Sequence, residues 1–149
     1  MSDKIYQEEA YKELVIKNCY NTLEFLLIKN LDFMIISYTN VIEFNPEIPE
    51  DIATFDESSL FIISGYTKES ARLTDEYLIF EAGFGNSNYG SILKIPLEAI
   101  MQIVLDEDVL HINYFEPTIK EENFEEISLQ SLLNNPENQK LLKKRIEKK

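Results

Sequence analysis

The stretch YLIFEAGFGNSNYGSILKIP, residues 77–96, decides the fold. Of the four glycines in the chain, Gly83, Gly85 and Gly90 all fall inside it. Glycine concentrated where it is otherwise scarce marks backbone that must turn sharply or be approached closely. Gly83-Phe84-Gly85 contains two glycines at dinucleotide-loop spacing, but such a loop leads from a strand into a helix N-terminus. Here SILKIP follows, a strand stopped by Pro96, and no Gly-Lys-Ser/Thr is present. The stretch therefore reads as a hairpin: strand YLIFEAGF, a turn of Asn, Ser and Gly, strand SILKIP.

Working outward, the same short-strand rhythm continues on both sides. Upstream, FMIISYT and SLFIIS read as strands, separated by EFNPEIPEDIATFDE, a proline-marked acidic loop with one helical turn after Pro49. TKESARLTDE reads as a polar connection. Downstream, LEAI reads as a single helical turn, MQIVL as a strand, Asp106-Glu107-Asp108 as a turn and VLHINYF as the last strand. In front of all of them, Tyr6 to Asn30 lacks Gly and Pro and repeats apolar residues at helical spacing: Ala10, Leu14, Ile16, Tyr20, Leu23 and Leu27. Its second half, LEFLLI, is apolar on most sides and calls for cover on more than one face, from its own sheet and from a second copy. The fold class is α+β: an N-terminal helix, then about six strands in a small antiparallel sandwich or open barrel, then a tail.

Composition bounds the function. The 149 residues suit one domain, and the 44% of apolar residues suffice for one core. With 27 acids against 14 bases the net charge is −13, which repels phosphate backbones and anionic membrane surfaces and leaves nucleic acid a poor partner. Most of this charge reads as solubility, with basic partners favoured beyond that. Cys19 is the only cysteine, so no internal disulfide forms, and a reducing cytoplasmic location is expected. The charged start MSDKIYQEEAYKELV has no apolar run of the signal-peptide kind, and apolar runs stop at four residues, as in Phe25 to Ile28.

The inventory for catalysis is thin. His111 is the only histidine and lies within a strand, where a packed side chain is the plainer reading. Cys19 sits mid-helix without a partner and reads as core filler. One His and one Cys leave zinc too few ligands. Asp106-Glu107-Asp108 lacks the spacing and glycine of a calcium loop. No Gly-x-Ser-x-Gly elbow is present. The expectation is no enzymatic activity, no cofactor and no metal.

Binding is better supported. Along YLIFEAGF, Leu78, Phe80, Ala82 and Phe84 alternate with Tyr77, Ile79, Glu81 and Gly83, and the strand passes from bulky to small at its end. Small residues let another backbone approach, so a sheet edge here can pair with an extended peptide. A hairpin that needs flexible ends is the plainer alternative for the same residues.

Several segments, taken in order, resemble the SspB family, the bacterial adaptors that deliver ssrA-tagged proteins to the ClpXP protease. LEFLLIKNLDFMIISY is similar to the family's helix end and first strand. NPEIPEDIATFDESSLFIIS is similar to its proline-marked loop and apolar strand, and LTDEYLIFEAGFG to its strand ending in small residue, x, Phe, Gly, Gly. SILKIPLEAIMQIVLDEDVLHINYF resembles its last strands with the proline and small-residue turn between them. The likeness runs from about Tyr6 to Phe115. It implies an Sm-like sandwich behind the helix, a homodimer formed through that helix, and a peptide groove at Glu81, Ala82, Gly83, Phe84 and Gly85. Two departures stand out: Asn86 replaces the family's second glycine, and SNYG lengthens the hairpin. A different groove mouth and a different tag are expected.

The domain is expected to span residues 1–116 and a linker and tail residues 117–149. Residues 117–137 hold five acids and one lysine, and residues 138–149 six bases and one acid. In the SspB family such a tail docks on the ClpX unfoldase. Two segments match that part: Ile127, Leu129 and Leu132 in EEISLQSLL, and Leu141, Leu142, Arg145 and Ile146 in LLKKRIEKK. Packing of either on its own domain is the competing reading. The function expected is thus a non-enzymatic adaptor that holds C-terminal degradation tags and tethers them to ClpXP, with ssrA-tagged proteins and ClpX as partners. An Sm-like interaction module with another protein or an RNA partner is the alternative.

Overall fold

The computed structural model describes residues 5–117. It begins with helix α1 (Glu9–Ile28), followed by strands β1 (Phe33–Tyr38), β2 (Glu43–Asn45) and β3 (Ser58–Ile63). A short helix α2 (Gly65–Ser70), strand β4 (Arg72–Leu73) and the long hairpin β5 (Tyr77–Phe84) and β6 (Tyr89–Pro96) come next. A 3-10 turn (Leu97–Ala99), β7 (Ile100–Leu105) and β8 (Asp108–Ile112) complete it. The strands form two antiparallel four-stranded sheets, ordered β3-β1-β7-β8 and β2-β6-β5-β4.

The α+β architecture expected from the sequence is the one observed, and the hairpin at its centre pairs Tyr77 with Pro96 through to Phe84 with Tyr89. Three details differ. The helix is shorter than Tyr6 to Asn30. The described residues hold eight strands where six were expected, because Glu43–Asn45 pairs with Ile92–Lys94 and Arg72–Leu73 with Leu78–Ile79. The segment read as a polar connection, residues 67–76, contains the last four residues of α2 and all of β4.

Local chemistry explains the helix and its end. Val15, Cys19, Leu23 and Leu26 recur every three or four residues and are buried together. Asn30 takes the left-handed conformation (φ 60°), and the amides of Asn30 and Leu31 donate to the carbonyls of Leu27 and Leu26. This is a Schellman closure with asparagine at the left-handed position, and it turns the chain into β1.

Strand alternation builds the core. Phe33 and Ile35 of β1 pair with Ile63 and Phe61 of β3 on the inward face of the first sheet. Leu78 and Phe80 of β5 with Leu93 and Ile95 of β6 do so in the second. The Phe61 and Phe80 rings meet edge to face at 5.9 Å across the gap. Cys19, Leu23 and Leu26 of α1 join the same cluster. Two of the buried polar side chains are tied to main-chain carbonyls: Ser37 Oγ donates to the Ala99 carbonyl at 3.2 Å, and Asn113 Nδ2 to those of Glu98 and Ile100 at 2.8 and 3.1 Å. After β8 the chain is clamped to the start of the helix, where Gln7 and the Glu116 main chain exchange two hydrogen bonds of 2.8 and 2.9 Å.

Candidate functional site

Of the five residues singled out, Glu81, Ala82, Gly83 and Phe84 end β5 beside α2, and Gly85 opens the turn that follows. Ala82 and Phe84 point inward and pack against the core, in line with Leu78 and Phe80. Glu81 and Gly83 lie on the opposite side. β4 covers β5 only as far as Ile79. Beyond it, among the described residues, no strand pairs with this edge of β5.

Hydrogen bonds fix which main-chain groups face that edge. The Thr74 amide donates to the Tyr77 carbonyl (2.9 Å), and the Glu81 amide donates to Ser70 Oγ at the end of α2 (2.9 Å). Tyr77 and Glu81 therefore turn their polar groups away from β6. By the two-residue period of a strand, so does Gly83. The edge thus presents the Glu81 carbonyl and both main-chain groups of Gly83, which is exposed.

The side chains around this edge come from α2. The Tyr66 hydroxyl donates to Glu81 Oε1 at 2.7 Å. That bond, reinforced by the Glu81 charge, raises the phenol above its ordinary value. Lys68 Nζ pairs with Asp32 Oδ1 at 2.7 Å and donates to the Asn30 carbonyl at 3.0 Å, which pins α2 to the start of β1. Ser70 escaped sequence reasoning because it lies in the segment read as a polar connection, and Tyr66 because it falls between that segment and the preceding strand. The signal available was Ser64-Gly65 followed by the helix-tolerant residues Lys68, Glu69 and Ser70.

The glycines serve the hairpin and its contact with the proline loop. The turn is Gly85-Asn86-Ser87-Asn88, with Gly85 at φ 71° and Asn88 at φ 56°. A Cβ at Gly83 would collide with Asn88 Oδ1, and one at Gly85 would lie 2.8 Å from the Ile52 carbonyl oxygen. The backbone that comes close at Gly85 is thus the chain's own, from the turn after Pro49, where the Ile52 and Ala53 amides donate to the Pro49 carbonyl. Phe84 closes this end of the sandwich against Phe44 and Phe55, with ring centroids 6.3 and 5.7 Å away. Tyr89 and Ser91 hold the loop by donating to the Glu47 and Pro46 carbonyls at 3.2 and 2.7 Å.

His111 and Cys19 lie elsewhere. His111 is buried on β8, its Nε2 has no hydrogen-bond partner among the described residues, and burial lowers its pKa. Burial likewise pushes the Cys19 thiol far up, so it stays protonated and unreactive. Among the described residues no group of three or more His, Cys, Asp or Glu is placed to hold a metal ion, and no helix is long and apolar enough to cross a membrane. An open cleft of about 270 Å³ lies between α1 and the β4–β5 turn, lined by Glu13, Ile16, Lys17, Tyr20 and Asp75, and shares no residue with the β5 edge. Ile127, Leu129, Leu132, Leu141, Leu142, Arg145 and Ile146 fall outside the described residues. No protein-family model matches the chain, and no curated protein sequence matches it.

Proposed function

We propose that this protein is a peptide-capturing adaptor of the SspB kind, which binds C-terminal degradation tags and tethers tagged proteins to the ClpXP protease. The observation that carries the proposal is the uncovered main chain of β5 at Glu81 and Gly83, in the segment whose residues resemble the family's peptide groove. An extended peptide laid along it donates to the Glu81 and Gly83 carbonyls and accepts from the Gly83 amide, adding one strand to the second sheet. Its side chains alternate, so one set faces Tyr66 and Glu81. The chain does no chemistry on the peptide. Delivery uses a second, weak contact made by the tail with the unfoldase, and holding both partners at once raises the local concentration of substrate at the protease.

The test is fluorescence anisotropy of a labelled ssrA tag peptide titrated with the full chain. The edge is blocked by Gly83→Pro in an Asn88→Gly background. Because the Gly83 amide points away from β6, proline removes the free donor and leaves the β5–β6 ladder whole. Asn88→Gly takes away the side chain that a Cβ would strike and tolerates the positive φ. Asn88→Gly alone is expected to keep saturable binding, and the double variant to weaken it by about tenfold or more. Equal binding by both variants would remove the edge from the mechanism. No binding of the tag by any variant would remove the tag-delivery function.

A further inference from the structure

Glu81 is a half-buried acid with no cation of its own. Its side chain stands on the outer face of the second sheet, in the row Tyr77, Ile79, Glu81 and Gly83. Ile92 of β6 is its cross-strand partner, so Lys94 lies diagonal to it on the same face. Arg72 of β4 pairs with Ile79 and is a second diagonal base. Diagonal neighbours are within reach of long side chains. Neither base takes the carboxylate. Lys94 Nζ turns the other way and sits over the Tyr77 ring, 4.3 Å from its centroid. Among the described residues the one ion pair is Lys68 with Asp32.

The carboxylate is also held in place, over an open strip of backbone. The Tyr66 hydroxyl fixes Oε1 at 2.7 Å. Oε2 lies 3.9 Å from where a Cβ on Gly90 would stand, and beyond its chain neighbours nothing else comes within 4 Å of that point. Gly90 has no left-handed φ either, so the chain's own packing does not require glycine there. Glycine inside a strand weakens it and marks a place where a ligand or another backbone comes close. Beside the carboxylate, the Tyr66 ring is 64% exposed, on a helix that buries none of its side chains. The Tyr66 phenol is raised first by its bond to Glu81 and further by the charge of Glu69, a second acid near the same spot. A fixed carboxylate, an open aromatic face and surplus negative charge suit a planar cation: a guanidinium pairs with the first and stacks on the second.

We propose that Glu81 and Tyr66 form a subsite for an arginine side chain of the captured peptide, so that the peptides this protein selects carry a basic residue at one fixed position. The proposal rests on peptide capture at the β5 edge and adds what that edge selects. A peptide residue opposite Gly83 faces no β5 side chain, because Gly83 has none. An arginine there reaches Glu81 on the diagonal; a short side chain does not. Lysine reaches it as well, but as a compact, strongly hydrated ammonium without the planar stacking face. An acid at that position meets Glu81 and Glu69 and is rejected. The net charge of −13 attracts bases anywhere along a peptide, and salt screens that attraction. The subsite makes the preference depend on position.

The experiment is an arginine scan. Each residue of a labelled ssrA tag peptide is replaced in turn by arginine, and in a parallel set by citrulline, which has the same shape without the charge. Both sets are titrated with the full chain by fluorescence anisotropy, in low and in moderate NaCl. At one position, the arginine peptide is expected to bind about tenfold or more tighter than its citrulline twin, with a smaller, salt-screened gain elsewhere. Glu81→Gln, which keeps an acceptor for the Tyr66 hydroxyl, is expected to bring that ratio down to about twofold or less, and Tyr66→Leu to reduce it as well. The ratio compares two peptides on one variant, so a general loss of affinity does not imitate the effect. Thermal melts identify a variant that fails to fold, and the other then decides. If the tag binds but arginine and citrulline are equal at every position, the subsite is overturned and peptide capture stands. Equal gains at all positions, or a position-specific gain that survives in the folded variants, overturn it too. No binding by any peptide overturns capture at the edge and the subsite together.

Discussion

Gly83 and Gly85 are two positions apart and avoid a side chain for different reasons, so their substitutions are expected to diverge. At Gly83 the obstacle is the side chain of Asn88, which can be removed. At Gly85 it is a main-chain carbonyl, that of Ile52, in addition to a left-handed φ of 71°. Gly83→Ala is predicted to cost about 1–2 kcal/mol, largely recovered by Asn88→Gly; Gly85→Ala costs about 2–3 kcal/mol with no single-residue rescue. Urea titrations of the three variants check this, and rescue of Gly85→Ala by Asn88→Gly would refute it. His111 offers a second test. Its pKa is lowered by burial, so the folded state holds it neutral while the unfolded chain takes up a proton near the ordinary value of 6.5. The unfolded state thus binds more protons below that pH, and stability falls as pH drops through it. The slope is at most about 1.4 kcal/mol per pH unit until the folded-state value is reached. His111→Leu, which also removes the unpartnered Nε2, is expected to flatten the stability profile between pH 6.5 and 5. A profile as steep as the native one would assign the loss to other groups.

Helix α2 shows what an element this small rests on. Six residues lie far below the length at which a helix forms alone, and none of its side chains is buried. It is held by Lys68 on Asp32 and Asn30 and by Ser70 on the Glu81 amide. These partners lie 36, 38 and 11 residues away in sequence, so no local pattern announces them. That is why the helical residues 67–70 read as part of a polar connection. β2 and β4, of three and two residues, become strands only through β6 and β5. By contrast, β5 and β6 carry their own alternation, and Leu78, Phe80, Leu93 and Ile95 are buried where that alternation places them. Within the candidate site, the length of strand was legible in its glycines and small residues. The helix beside it and the loop behind it were not, since both depend on contacts remote in sequence. Ser70→Ala tests the link between α2 and β5. It leaves the Glu81 amide without its acceptor, at a cost of about 1 kcal/mol, and hydrogen exchange of that amide should accelerate in step. Unchanged protection at Glu81 would mean that α2 does not shield this part of the edge.

Charge acts on the molecule as a whole. Residues 117–149 hold six of the 27 acids and seven of the 14 bases, which leaves 21 acids against seven bases before them. The domain is therefore more negative than the entire chain. Among the described residues the one ion pair is Lys68 with Asp32, and the Asp32 side chain is largely exposed. Salt has two opposed effects: it screens the mutual repulsion of many acids, and it weakens attractive pairs. With a single, partly exposed pair to weaken, worth little at a surface, the relief of repulsion outweighs the loss of attraction. Added NaCl is thus predicted to stabilise the fold by about 1 kcal/mol, a rise in melting temperature of roughly 4 °C. Sodium chloride is the salt to use, because sulfate and phosphate strengthen apolar burial by exclusion and would confuse the cause. The measurement belongs at a low chain concentration, since any self-association would itself raise the melting temperature. It is best repeated with the chain shortened to residues 1–117, whose stabilisation by salt should be at least as large because the basic tail is gone. A melting temperature that falls with NaCl in both forms would show that attractive pairs, not repulsion among the acids, dominate the electrostatics of this domain.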